Sequence, residues 1–399
     1  MKLKNKILGV LLILLCMGTS FVSAESVIGS IENNDNVIIG KYDTVVKEYA
    51  LRQADCIDNG VKFVADEKVS KELNDYLSIQ ETTREVYLKK EKYTAEAEIL
   101  KKEIIEDVIY YKVNIKANWV YEGSTDGSSY AKNVDVLVEK NTGKIIDFYD
   151  INSFTLAVRG EIDIRNKENR LTKELVESSL EKYNKKMAET QKMIEESIKE
   201  DNEKLNARKA AVARASYSWI DHDGVVQWAR DNYYKANPTS GRPGTVSYYD
   251  FSEITNAWDC TNFISHALLA GDARIYDTSN ASTGWWFWST GDRSYSWSGV
   301  NEFYNFAMNN QTKGPGGYSM TWNVNYEDWS TGDILQMHNG TTWRHSTVIT
   351  GFTLYEDGRI YPRVTGRASD YDNNDNIDVR DHLYYPNPMR ILHLYNYGA

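Results

Sequence analysis

The spacing of apolar residues divides the chain into three stretches with different periods. Over residues 36–165 the pattern is first helical, predicting a helix over 44–56, and then alternates. Runs 109–117 and 133–139 alternate apolar with polar, and 144–148 forms a return strand after the turn Asn141-Thr142-Gly143. A helix against an antiparallel meander is an α+β module. It carries no cysteine–histidine cluster and no glycine-rich phosphate loop, so its expected role is positioning or self-association. Over 170–214 there is neither Gly nor Pro, and Leu180, Met187 and Ile194 recur every seven residues with Tyr183 between them. Ile198, Leu205 and Val212 continue after a shift in phase. This predicts a long helix or helical hairpin, serving as a linker. Its apolar stripe is sparse for a coiled coil, which favours a helix packed along its neighbours over an oligomerising one.

The third stretch, 216–399, opens with a helix over 224–235, stopped by Asn237-Pro238, and continues with the run Asp259-Cys260-Thr261-Asn262-Phe263-Ile264-Ser265. From Thr261 onward Phe263, Ile264, Ala267 and Leu268 share one helical face, and Gly271 is placed to end the helix. Strands are predicted over 333–337, 345–351 and 359–365, the last pairing back across Glu356-Asp357-Gly358. Helices first and strands afterwards is again α+β.

Residues 1–24 follow another logic. Lys2, Lys4 and Lys6, an apolar run over 7–17 and the small residues Val22-Ser23-Ala24 make a secretory signal peptide. The apolar run is shorter than the ~20 residues of a membrane span. Cleavage after Ala24 takes the formal net charge from −11 to −14. Such an acidic chain has no broad attraction for nucleic acid or anionic membranes. The expected location is extracellular or cell-wall associated.

Cleavage removes Cys16 and leaves Cys56 and Cys260. A disulfide between them is one reading of a secreted protein. The favoured alternative packs Cys56 under the first helix and leaves Cys260 as a thiol at a helix N-terminus, where free amides and the helix dipole favour a thiolate. A thiolate needs a base. All six histidines lie in the third stretch. His345 opens a strand, which suits an imidazole meant to meet a helix-borne thiol. His266 sits more than a turn and a half past Cys260 on the same helix. His338 is in a turn, and His222, His382 and His393 have no context that aims them at Cys260.

These residues carry a resemblance. Asp259-Cys260-Thr261-Asn262-Phe263-Ile264-Ser265, the turn Gly332-Asp333-Ile334-Leu335-Gln336, Trp343-Arg344-His345-Ser346, Val364-Thr365-Gly366-Arg367 and Val300-Asn301-Glu302-Phe303-Tyr304-Asn305-Phe306 resemble the bacterial "putative amidase" domain family, which is similar to papain-like CHAP and NlpC-type cysteine peptidases. The resemblance covers roughly 217–396. It implies a papain-like fold, a Cys260 nucleophile and a His345 base acting on an amide bond. Such enzymes orient the imidazole with a third polar group. Arg367 stands where many members have a histidine, and it has no acceptor atom. Asp370 is the expected substitute, with Thr365 or a carbonyl as alternatives.

The remaining expectations concern the surroundings. The Cys260 amide is the natural oxyanion donor, and Asp259 and Asn262 are read chiefly as an N-cap and a hydrogen-bond anchor beside it. Trp285 and Trp286, in an aromatic stretch, are candidates to line a substrate cleft or to pack the core. Residues 370–381 place oxygen side chains at calcium-loop positions 1, 3, 5, 7, 9 and 12, but Asp375 replaces the required glycine, so a solvated turn is expected and no metal. No cofactor is called for. The expected function is a secreted cysteine amidase or peptidase acting on peptide or peptidoglycan, with no stable membrane span after cleavage and an oligomer allowed through the helical segment. The alternatives are a non-catalytic wall-binding module and a structural or adhesive protein led by its first 215 residues.

Overall fold

The computed structural model describes residues 40–58, 60–83, 89–212, 217–235, 238–239, 241, 246–254, 259–321, 329–355, 358–368 and 373–398. The expected signal peptide and Asp370 lie outside them. Residues Val45–Ala399 form one compact unit.

In its first half, α1 (Asp43–Asp58) and α2 (Lys71–Thr82) accompany a meander of β1 (Lys90–Ile105), β2 (Val108–Tyr121), β3 (Gly127–Glu139) and β4 (Ile145–Tyr149). The predicted helix and three predicted strands are present. The strand β1 was not expected. It is a sheet edge rich in Lys and Glu, where half-buried Tyr93, Ala95, Ala97 and Ile99 alternate with exposed Thr94, Glu96, Glu98 and Leu100, a weak signal because no position of that run is fully buried. After α3 (Ser153–Arg159) comes α4 (Lys173–Val212), a single helix of 40 residues rather than a hairpin. Leu180 of its stripe is 43% exposed.

The second half holds β5 (Tyr217–Trp219), α5 (His222–Asn232), α6 (Cys260–Ala270), the short β6 (Phe287–Ser289) and β7 (Asp292–Arg293), α7 (Tyr295–Ser298), α8 (Val300–Asn309), β8 (Gly314–Thr321), β9 (Ile334–His338), β10 (Trp343–Leu354), β11 (Ile360–Arg367), β12 (Asn373–Asp378) and β13 (Met389–Tyr397). Val225 and Ala229 of α5 and Phe263, Ile264 and Leu268 of α6 share a buried cluster with Ile334, Val348 and Leu392 of the sheet. The fold is mixed α+β with a large antiparallel sheet.

One sheet of 11 strands spans both halves in the order β1-β2-β3-β12-β11-β10-β9-β13-β5, with β4 on β3 and β8 on β13. The joint is β12 against β3, with Asn373, Asn374 and Asp375 opposite Ala131, Tyr130 and Ser129. This corrects the expectation of a solvated turn over 370–381. Asp375 instead pairs with Arg230 at 3.1 Å, Asp378 accepts from Tyr355 Oη at 2.7 Å, and Asn376 accepts from Thr350 at 3.1 Å. These side chains go to separate partners, and no acidic or histidine cluster among the described residues is arranged to hold a metal ion.

Candidate active site

Cys260 is the first residue of α6 and is 1% exposed. It reaches β10 where the β10–β11 ladder stops, at Val348 opposite Thr365. The sulfur lies 3.9 Å from the Arg344 carbonyl oxygen, and the Ser346 amide points at it. The peptide groups on either side of His345 therefore bracket the thiol. Behind it, Thr261 Oγ1 lies 3.8 Å from the sulfur and 3.2 Å from Ser346 Oγ, which accepts from Gln336 Nε2 at 3.2 Å. Arg390 Nε holds Gln336 Oε1 at 2.9 Å. The Gly332-to-Gln336 run thus braces the strand from behind. Gly332 adopts φ +90°, and Asp333 of the same turn accepts the Ser330 amide and meets His393 Nδ1 at 2.9 Å.

His345 is fully buried. Alternation along β10 turns Ser346 and Val348 toward α6, so the His345 ring lies on the other face. There its centroid is 5.0 Å from the His382 ring and 6.0 Å from Tyr384. Gly366 makes room for it: a Cβ there would sit 3.3 Å from His345 Nε2 and 2.7 Å from Thr347 Cγ2. Neither ring nitrogen of His345 has a hydrogen-bond partner among the described residues. The structure brings the thiol beside the peptide of His345 but forms no hydrogen bond between sulfur and imidazole.

The electrostatics follow from burial. Desolvation pushes the Cys260 thiol above its ordinary value, against the opposing pull of the Ser346 amide and Thr261. Desolvation, with Arg344 nearby, pushes His345 down to about 3. In this arrangement both groups are neutral, and the expected thiolate–imidazolium pair is not formed. His382 was missed by sequence reasoning, because it follows a short 3-10 turn with no periodic signal. Burial, and then the neighbouring His345, holds it well below the usual histidine range. The Tyr384 amide donates to its Nδ1 at 3.3 Å, which leaves the proton on Nε2.

Asp259 stands at the N-cap position but makes no side-chain cap. Its carboxylate accepts from the Phe251 amide at 3.1 Å, from Asn262 Nδ2 at 2.9 Å and from Tyr248 Oη, and it pairs with Arg367 Nε at 3.1 Å. Burial, followed by the Asp250 charge, raises it to about 7 despite those donors, because Asp250 shares the same guanidinium. Arg367, which cannot orient an imidazole, instead ties β11 to the start of α6. Asn262 is the expected anchor: it donates to the Tyr249 carbonyl at 2.8 Å and accepts from Trp297 Nε1 at 2.7 Å. Trp285 and Trp286 are 0% and 3% exposed. They are core residues here, not cleft walls, and Trp285 Nε1 donates to Ser265. His266 is also a core residue, stacked on Trp228. Cys56 and Cys260 are both free, so the disulfide reading is excluded.

Known proteins add one assignment. Residues 220–387 match the family described as "Putative amidase domain". The family's description points to amide-bond hydrolysis, and Cys260, His345 and His382 all fall inside the match. The chain is also similar to "Uncharacterized protein YhbB" of Bacillus subtilis (strain 168), with 28% identity over 131 residues, or 32% of this chain. That stretch is 36% of the length of the Bacillus protein. No solved structure matches the chain.

Proposed function

We propose that the carboxyl-terminal half is a cysteine-dependent amide hydrolase. His345 takes the proton of the Cys260 thiol as Sγ attacks the amide carbonyl, backbone amides at the start of α6 steady the tetrahedral oxyanion, His345 returns that proton to the leaving amine, and a water deprotonated by His345 then releases the acyl group and the thiol. The observation that carries this reading is the placement of Sγ at a helix start between the Arg344 carbonyl and the Ser346 amide. Two backbone N–H groups, those of Ser346 and Thr261, already point at the sulfur and would hold a thiolate. The chemistry requires the His345 ring to turn toward Sγ, which a substrate opening the β10–β11 gap would allow. The reading extends to a secreted enzyme acting on cell-wall peptides, a substrate class argued from the amino-terminal export pattern and from the amidase match.

The buried, neutral and unjoined thiol and imidazole favour a second reading, a wall-binding module that retains the fold without turnover. Digestion of purified muropeptides separates the two. The hydrolase reading expects new amino groups to appear, with at least about a 1,000-fold loss of rate in Cys260→Ala. Binding of muropeptides with no cleavage, or cleavage unchanged by Cys260→Ala, would remove Cys260 from the chemistry.

A further inference from the structure

A cavity of about 600 Å³ lies between the amino-terminal helices and the segment that follows β12. Its volume is within the ~300–1,000 Å³ typical of small-molecule sites. Leu77 of α2, Met187 and Ile194 of α4 and Pro386 supply apolar wall. The middle of the α4 stripe, Tyr183, Met187, Ile194 and Ile198, is thus turned to this space.

Several charges around the cavity are already matched within the protein, while Glu81 accepts the Phe63 amide at 2.9 Å and Arg359 lies 5.9 Å from the Tyr361 ring centroid. Lys132 pairs with Asp150 at 2.9 Å, Asp381 with Lys90 at 3.2 Å, and Arg380 with Asp378 at 3.1 Å. A charged ligand would meet no uncompensated counter-ion among these groups, at a desolvation cost. Gln53 of α1 is different. It lines the cavity, is 1% exposed, and its side-chain amide nitrogen has no hydrogen-bond partner among the described residues. Buried donors are rarely left unpaired without a reason.

We propose that this cavity binds a neutral amphipathic molecule, with its apolar body against Leu77, Met187 and Ile194 and a carbonyl-type oxygen accepting from Gln53. The site is separate from Cys260, and the proposal does not depend on the hydrolase reading. His382 is on its wall, so a bound ligand would lie one imidazole away from His345.

The test is a fluorescence titration of the full chain with N-phenyl-1-naphthylamine, followed by displacement with decanamide and with decanoate at pH 7.5. Saturable one-to-one binding is expected, with decanamide displacing the probe at least tenfold more effectively than decanoate. Ile194→Trp, which fills the cavity, should weaken both probe and decanamide at least tenfold. Met187→Phe is a milder filling variant, should the larger one fail to fold. Gln53→Leu should weaken decanamide at least fivefold and leave the naphthylamine unchanged. Absence of saturable binding, or binding indifferent to both filling variants, would overturn the site. Decanoate binding as tightly as decanamide, or decanamide indifferent to Gln53→Leu, would overturn the ligand class.

Discussion

Cys260 and His345 are held by opposing demands. The helix start and the Ser346 amide favour a charged sulfur, while full burial favours a neutral one, and burial is the larger effect. Without substrate, iodoacetamide should therefore label Cys260 at pH 7.5 at least about tenfold more slowly than a free thiol, and labelling should rise with pH past the ordinary thiol range near 8.5. Peptide mapping by mass spectrometry reads this directly; labelling faster than a free thiol would mean that the imidazole reaches the sulfur in the resting protein. His266 offers a cleaner stability test because it stands apart from the proposed chemistry. Burial lowers it to about 3, and its Nδ1 accepts the Gly241 amide at 3.4 Å. A depressed folded-state value contributes stability above the unfolded value near 6.5 and loses it as pH falls toward 3. Between pH 6.5 and 4.5 the native chain should lose about 2–3 kcal/mol more than His266→Phe, at roughly 1.4 kcal/mol per pH unit. Urea midpoints at the two pH values give the difference, and equal losses would refute a buried neutral ring.

At the scale of elements, two buried ion pairs tie helix ends to the sheet. Arg159 at the end of α3 makes a two-pronged contact with Asp147 of β4, both prongs at 2.8 Å, and each side chain is 1% exposed. The same carboxylate accepts the Leu171 amide at 3.0 Å, so it also fixes the approach to α4. Removing one member of such a pair strands the other. Arg159→Ala should cost about 3–5 kcal/mol in chemical denaturation. A cost below about 1 kcal/mol would mean that water replaces the guanidinium. The second pair, Arg367 with Asp259, ties β11 to the residue that precedes α6 without capping the helix amides. Sequence reasoning located α6 and its end at Gly271, because apolar spacing and glycine are local signals. It assigned Asp259 to capping because residue type suits that role, yet Tyr248, Asn262 and Arg367 had claims on the carboxylate that only folding reveals.

Across the whole molecule, the β3–β12 joint makes the amino-terminal meander and the amidase-matched half parts of one sheet. Buried amides in both halves should then open together. Native-state hydrogen exchange in increasing denaturant should give Ile115 of β2 and Val348 of β10 the same opening free energy within about 1 kcal/mol. Two well-separated values would show that the halves unfold independently. What could be read from residue order was whatever repeats locally: the α+β class, α1, the long α4, the helix begun by Cys260, and strands that alternate because one face is buried. Glu- and Lys-rich β1 alternates only between half-buried and exposed positions, a weak signal, and the Asn/Asp run of β12 resembled a loop because its polar side chains are satisfied by distant groups such as Arg230 and Thr350. Tertiary packing alone decided which face of β10 meets α6, that His382 adjoins His345, and that Trp285 lies in the core. Those outcomes depend on contacts between residues far apart in the chain, and spacing within a segment carries no information about them.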